Sequence, residues 1–116
     1  MVRVAAVALP DNPDGEPPAD ASRVAEYLAS GTAILFTTAT TADRYDASMG
    51  APVGLSVRSD GVWVWSDVLA YYADRYGIPP EPELVEHIRR NDYRCPPLDD
   101  AAARHAWDAF SASRDG

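Results

Sequence analysis

The chain has 116 residues, 47% of them apolar and 24% charged, with a formal net charge of −8; this suits one domain with a real core, with no need of disulfides or metal for stability. Ten arginines carry all the basic charge and lysine is absent, and the acidic excess argues against a general nucleic-acid binder or a protein that adheres to anionic membranes, both of which need a basic footprint. Cys95 is the single cysteine, which excludes an internal disulfide; no apolar run reaches the length of a membrane span, and Met1–Leu9 lacks the core and cleavage site of a signal peptide, so the expected compartment is the cytoplasm.

Arg3–Leu9 alternates weakly and reads as an edge strand. Pro10–Pro18 is a proline- and acid-rich loop, and residues 1–19 are expected to be loosely ordered around the single domain 1–116. Asp20 can cap a helix over Ala21–Ser30, on which Val24, Tyr27 and Leu28 share one face, with Gly31 as its stop. Thr32–Thr38 reads as a strand. Its consecutive Ile34, Leu35 and Phe36 suggest burial on both faces and a central place in the sheet. Ala39–Pro52 is a long polar loop.

Val53–Arg58 and Val62–Trp65 form the strands of a hairpin about Asp60-Gly61, because a two-residue turn of this kind requires positive φ at its centre. That register sets Val57 opposite Val64 and Arg58 opposite Trp63. It also places Leu55, Val57, Val62 and Val64 on one face and Ser56, Arg58, Trp63 and Trp65 on the other. Ser66 caps the next helix, with Asp67 in its first turn and Trp65, Val68, Leu69, Tyr72 and Tyr76 as its apolar face. Gly77 ends it in the left-handed region before Pro79-Pro80. Pro82 opens a helix whose Leu84, Val85 and Ile88 face the core. Asp99 caps a last helix, with Ala103, Ala106, Trp107 and Phe110 as its buried stripe and 111–116 fraying. Strands followed by helices make the fold α+β: a small, mainly antiparallel sheet, a central strand plus a β-hairpin, covered by about four helices.

No catalytic, metal or phosphate-binding motif is present, so the site candidates come from clustering. Asp43, Arg44, Tyr45 and Asp46 concentrate charge and aromatic surface in a long loop, the kind of segment that carries function on a rigid scaffold. Arg58 and Trp63 share a face and could form a cross-strand cation–π pair; arginine and tryptophan are frequent anchors of protein interfaces. These six residues are the expected partner-binding set. His87, with Glu83 one helical turn before it, and Tyr71, beside Asp67 and Arg75, are the acid–base candidates for catalysis. His105 points to solvent, neither histidine has a second ligand at metal-binding spacing, and no cofactor is implied. Cys95 reads as a small structural hydrophobe.

The run Asp60-Gly61-Val62-Trp63-Val64-Trp65, followed by Tyr71-Tyr72, then Gly77-Ile78-Pro79-Pro80-Glu81-Pro82-Glu83-Leu84 and His87-Ile88-Arg89, resembles a family of small uncharacterised actinobacterial proteins. The resemblance spans roughly Val53 to Pro97. It implies a recurring core with a more variable N-terminal third, and it transfers no activity and no site residue.

Two functional expectations follow. One is a small acidic binding protein, immunity-like or regulatory, acting on a protein partner or through self-association, without nucleic acid or membrane. The other is a small accessory enzyme, for instance of secondary metabolism, with its site between the 43–46 loop and the aromatic hairpin.

Overall fold

The computed structural model describes residues 2–115 and shows an α+β fold. A sheet of four strands runs in the order β1-β6-β5-β2, where β1 is Arg3–Val4, β2 Thr32–Leu35, β5 Val57–Ser59 and β6 Trp63–Ser66. Only β1 and β6 are parallel; β6–β5 and β5–β2 are antiparallel. A second ribbon pairs β3 (Thr40–Thr41) with β4 (Val53–Gly54). The helices are α1 (Ala21–Ala29), α2 (Asp67–Tyr76), α3 (Pro82–Arg90) and α4 (Asp100–Asp115). None of the described helices is long and apolar enough to cross a membrane.

The alternation of the hairpin determines what covers each face. Trp63 and Trp65 point to one side and pack among Tyr27 and Leu28 of α1, Leu69 of α2, and Leu84 and Ile88 of α3. Val57 and Val64 point to the other, where Ala106 of α4 closes over them with Val4, Ile34 and Phe110 at its margin. The sheet is thus the middle of three layers. The fully buried side chains between the layers, Trp65, Leu28, Leu84, Ile88 and Val64 among them, each contribute about 1.5–3 kcal/mol through removal of apolar surface from water.

The helix ends follow their local chemistry. The Ser66 hydroxyl accepts the Val68 N–H at the start of α2. Gly77 closes α2 at φ 68°, with its N–H on the Ala73 carbonyl. Pro82 occupies the first turn of α3, and the Asp99 carboxylate accepts the Ala102 N–H at the start of α4. Asp20 precedes α1 without capping it; its carboxylate instead binds Arg89 in a two-pronged pair and accepts the Tyr93 hydroxyl, tying α1 to the end of α3.

Several expectations need correction. The strand at Thr32 is an edge strand, not a central one, and it stops at Leu35. Its register slips between Ala33 and Leu35, and the chain then leaves the sheet so that Phe36 is 77% exposed. The hairpin pairs Arg58 with Trp65 and Ser59 with Val64. The two-residue loop is therefore Gly61-Val62, with Gly61 first at φ 93°, the placement of a II′-type turn. This moves the pairing by two residues and leaves the division between faces intact. The first hairpin strand is interrupted at Leu55–Ser56, where the Ser56 carbonyl accepts the Asp67 N–H. Gly31 is required by close approach rather than by a helix stop: a Cβ there would lie 2.6 Å from the Trp65 ring. Trp107 is 37% exposed instead of buried, and α4 continues through Asp115 where fraying was expected. The N-terminal expectation of a strand to Leu9 contracts to Arg3–Val4, held by Arg3 N–H and Ala5 N–H bonds to Val62 and Val64 carbonyls.

Candidate functional site

Two buried carboxylates organise the polar interior. Asp43 leads the loop that connects the β3–β4 ribbon to a 3₁₀ turn at Ala47–Met49, and its side chain is fully enclosed. One oxygen accepts the Tyr45 N–H at 2.7 Å and the Asp46 N–H at 3.1 Å. The other accepts the hydroxyls of Tyr71 at 2.5 Å and Tyr76 at 2.8 Å, with Arg75 Nε 3.5 Å away. Burial alone would raise its pKa, but the donors from Tyr71, the Tyr45 amide, Tyr76 and the Asp46 amide outweigh that and hold the carboxyl below its ordinary value. Burial and the Asp43 bond in turn push the Tyr71 phenol up to about 12.

The rest of the loop is fastened the same way. The Tyr45 hydroxyl donates to the Pro10 carbonyl, and its ring meets Tyr72 and Tyr76 edge-on at 5.7 Å and 5.2 Å. The Arg44 N–H donates to the Tyr72 hydroxyl, while its exposed guanidinium lies 3.8 Å from Asp11. Asp46 faces Arg75 at 3.5 Å. The 43–46 loop is a clamp that fixes the N-terminal segment to α2.

Asp60 is the second hub. One oxygen accepts the Val62 and Trp63 N–H groups at 2.9 Å and 2.8 Å, closing the hairpin turn. The other accepts the Tyr27 hydroxyl at 2.5 Å and lies 2.7 Å from His87 Nε2. Asn91 Nδ2 donates to the Tyr27 oxygen at 2.9 Å. Burial works against the charge, but the bonds from Tyr27, the Trp63 and Val62 amides and His87 together hold the carboxyl below its ordinary value. Hairpin, α1 and α3 therefore meet on one carboxylate. Cys95 lies at the margin of this cluster, half-buried, its thiol pushed up to about 11 by burial and by the charge of Asp60.

The candidates named from sequence separate accordingly. Tyr71 and His87 do not converge: each is bonded to a different buried carboxylate, and His87 turns to Asp60 while Glu83 pairs with Arg3. Arg58 does not stack on Trp63. It bonds Asp67 at 2.6 Å and the Gly31 carbonyl at 3.0 Å, anchoring the N-terminal end of α2. Arg3 instead lies over the Trp63 ring at 4.3 Å, and Trp63 is 3% exposed. Trp63 and Asp43 are thus enclosed by their own chain and offer no contact surface. The sequence shows Asp60 only as a turn residue, with nothing to mark Tyr27 as its partner or Asn91 as the donor to Tyr27; no local signal links positions that lie 33 and 64 residues apart. Among the described residues no three His, Cys, Asp or Glu side chains are placed to hold a metal ion, and no buried side-chain polar atom lacks a partner.

What remains open is the outer edge of β2. Among the described residues, no backbone–backbone hydrogen bond joins Thr32–Leu35 to any segment but β5, while the Leu98 N–H donates to the Thr32 hydroxyl at the start of the strand. From Gly31 to Ala42 the chain has no charged residue, although natural edge strands are commonly blunted by lysine, proline or inward charge. Phe36 stands at the end of this strip with 77% of its surface in water, and Trp107 is partly exposed on α4, the helix that packs across β2. Comparison with protein-family models, with curated proteins and with solved structures finds no match.

Proposed function

We propose that this chain is a small protein-binding module whose contact surface is the open edge of β2 with Phe36. The observation that carries the reading is the placement of a large aromatic side chain in solvent beside an uncharged, unpaired strand edge. An added strand satisfies the free backbone groups of such an edge, and an aromatic side chain supplies desolvated contact area. The rest of the molecule is built to hold that edge still. The hairpin next to β2 is tied to α1 and α3 through Asp60, and Ser56 exchanges hydrogen bonds with the Thr37 N–H and carbonyl just past the strand. The same edge would serve an immunity-like or regulatory protein that acts on a protein partner or through self-association, since either adds a strand to it. The acid–base candidates support this reading over an accessory enzyme, since the Tyr71 hydroxyl and His87 Nε2 are committed to separate buried carboxylates.

The test is affinity capture from cells that make the protein, using the wild type and Phe36→Asp in parallel, with the retained proteins identified by mass spectrometry. The reading requires a protein retained by the wild type and lost from a Phe36→Asp variant of unchanged melting temperature. Identical retention by both would refute it.

A further inference from the structure

We infer that the occupant of the β2 edge is a second copy of this chain, paired antiparallel through Thr32–Leu35 with Phe36 of each copy packed against the other. This rests on the binding reading above and names its partner. Two molecules of net charge −8 repel one another over most of their surface. The strip from Gly31 to Ala42 carries no charge, so it is where a like-charged copy can approach without bringing carboxylates together. A basic partner would instead be met by acidic groups at the contact, and this strip has none.

Geometry points the same way. Antiparallel pairing of one strand with its own copy creates a two-fold axis perpendicular to the sheet, an isologous contact that closes on itself. It would join two four-stranded sheets into one continuous sheet and place both α4 helices, each with its partly exposed Trp107, on the same face. The opposite edge does not compete. β1 is two residues long; Arg3 pairs with Glu83 and covers Trp63, and the Ala6 N–H is held by Glu81 at 2.9 Å. With β1 blocked, the four-stranded sheet offers one usable edge, and assembly through that edge stops at the dimer. A pairing of this length buries less than the roughly 1,200 Å² of a stable interface, so the dimer should exchange and dissociate on dilution.

Sedimentation equilibrium of the purified protein, from low micromolar to near-millimolar concentration, is the test. The wild type should pass reversibly from monomer to dimer and no further. Ala33→Lys places a charge at an exposed edge position, and Phe36→Asp does so at its end. Each should weaken dimerisation by roughly tenfold or more with an unchanged melting temperature. Mixing Ala33→Lys with Ala33→Glu should restore association, which damage to the fold cannot mimic. A wild type that stays monomeric, a dimer indifferent to charge at both positions, or growth beyond the dimer would overturn the inference. If the wild type is monomeric but captures a different protein that Phe36→Asp does not, self-pairing fails while the binding reading stands.

Discussion

Replacing Asp60 by asparagine should be among the most damaging near-isosteric substitutions in this chain. The amide oxygen can still accept the Val62 and Trp63 N–H groups that close the turn. The NH₂ group, however, would face the Tyr27 hydroxyl and His87 Nε2 where an anionic oxygen now accepts at 2.5 Å and 2.7 Å. His87 can present a lone pair by changing tautomer. Tyr27 has less latitude: its oxygen already accepts from Asn91, so its proton is left without an acceptor in a side chain 1% exposed. A hydrogen bond to a charged group contributes about 1.5–3 kcal/mol, and an orphaned buried donor costs about 1–3 kcal/mol. A loss of about 2–4 kcal/mol is expected, a large share of the roughly 6–17 kcal/mol available to a domain of this size. The melting temperature should fall by about 10 °C, read by circular dichroism with urea unfolding alongside. The partner substitution Tyr27→Phe removes the donor instead, so the double variant should cost less than the sum of the two singles. An Asp60→Asn variant within about 0.5 kcal/mol of the wild type, or strict additivity with Tyr27→Phe, would refute the claim that this carboxylate joins the hairpin to α1.

Gly31→Ala should lower the melting temperature clearly, because its Cβ would meet Trp65 at 2.6 Å and Arg58 Cβ at 3.0 Å; Trp65→Phe in the same chain should recover part of the loss. Gly61→Val should also destabilise, since Gly61 holds φ 93° and a β-branched residue resists that region. At pH 7 the Cys95 thiol, pushed up to about 11 by burial and Asp60, should label slowly with a thiol reagent in the native protein and rapidly in urea, with Cys95→Ser leaving association unchanged. The pH profile has two limbs. The carboxyls of Asp20, Asp43 and Asp60 lie below 3.8 in the folded chain, so their support is present above that value and is lost as pH falls through the lowered ones. The Tyr71 phenol rises from 10.0 to about 12, so stability should fall as pH climbs from the first value toward the second, and Tyr71→Phe should flatten that part of a urea-unfolding series.

Much of the architecture was legible because local chemistry governs it. Ser66, Gly77, Pro82 and Asp99 mark helix ends through hydrogen bonds and dihedral restrictions that involve only near neighbours. The division of the hairpin between Trp63/Trp65 and Val57/Val64 follows from strand alternation and survives a register error of two residues. The register itself was misjudged because either Asp60-Gly61 or Gly61-Val62 can form a two-residue loop. The second is realised, with Asp60 freed to receive Tyr27 and His87 from distant helices. Ile34-Leu35-Phe36 looked like a central strand because apolar runs are ambiguous. The strand lies at the edge, with α4 covering one face and the chain turning away before Phe36. The loop at Asp43–Asp46 looked like a site by composition. In the fold its Asp43 carboxylate is bonded by Tyr71 and Tyr76 and Asp46 faces Arg75, positions that only the folded chain brings to it, while the Arg44 guanidinium stays exposed.

Site-specific photo-cross-linking can capture whatever touches the β2 edge. A benzophenone amino acid at position 36, compared with the same group at the exposed Arg90 position on α3, reports what touches the β2 edge in cells that make the protein. A discrete covalent adduct is expected from position 36 and none from position 90, with the mass of two chains if the edge pairs with itself. Absence of an adduct at position 36, or the same adducts from both positions, would rule out the β2 edge as the contact surface.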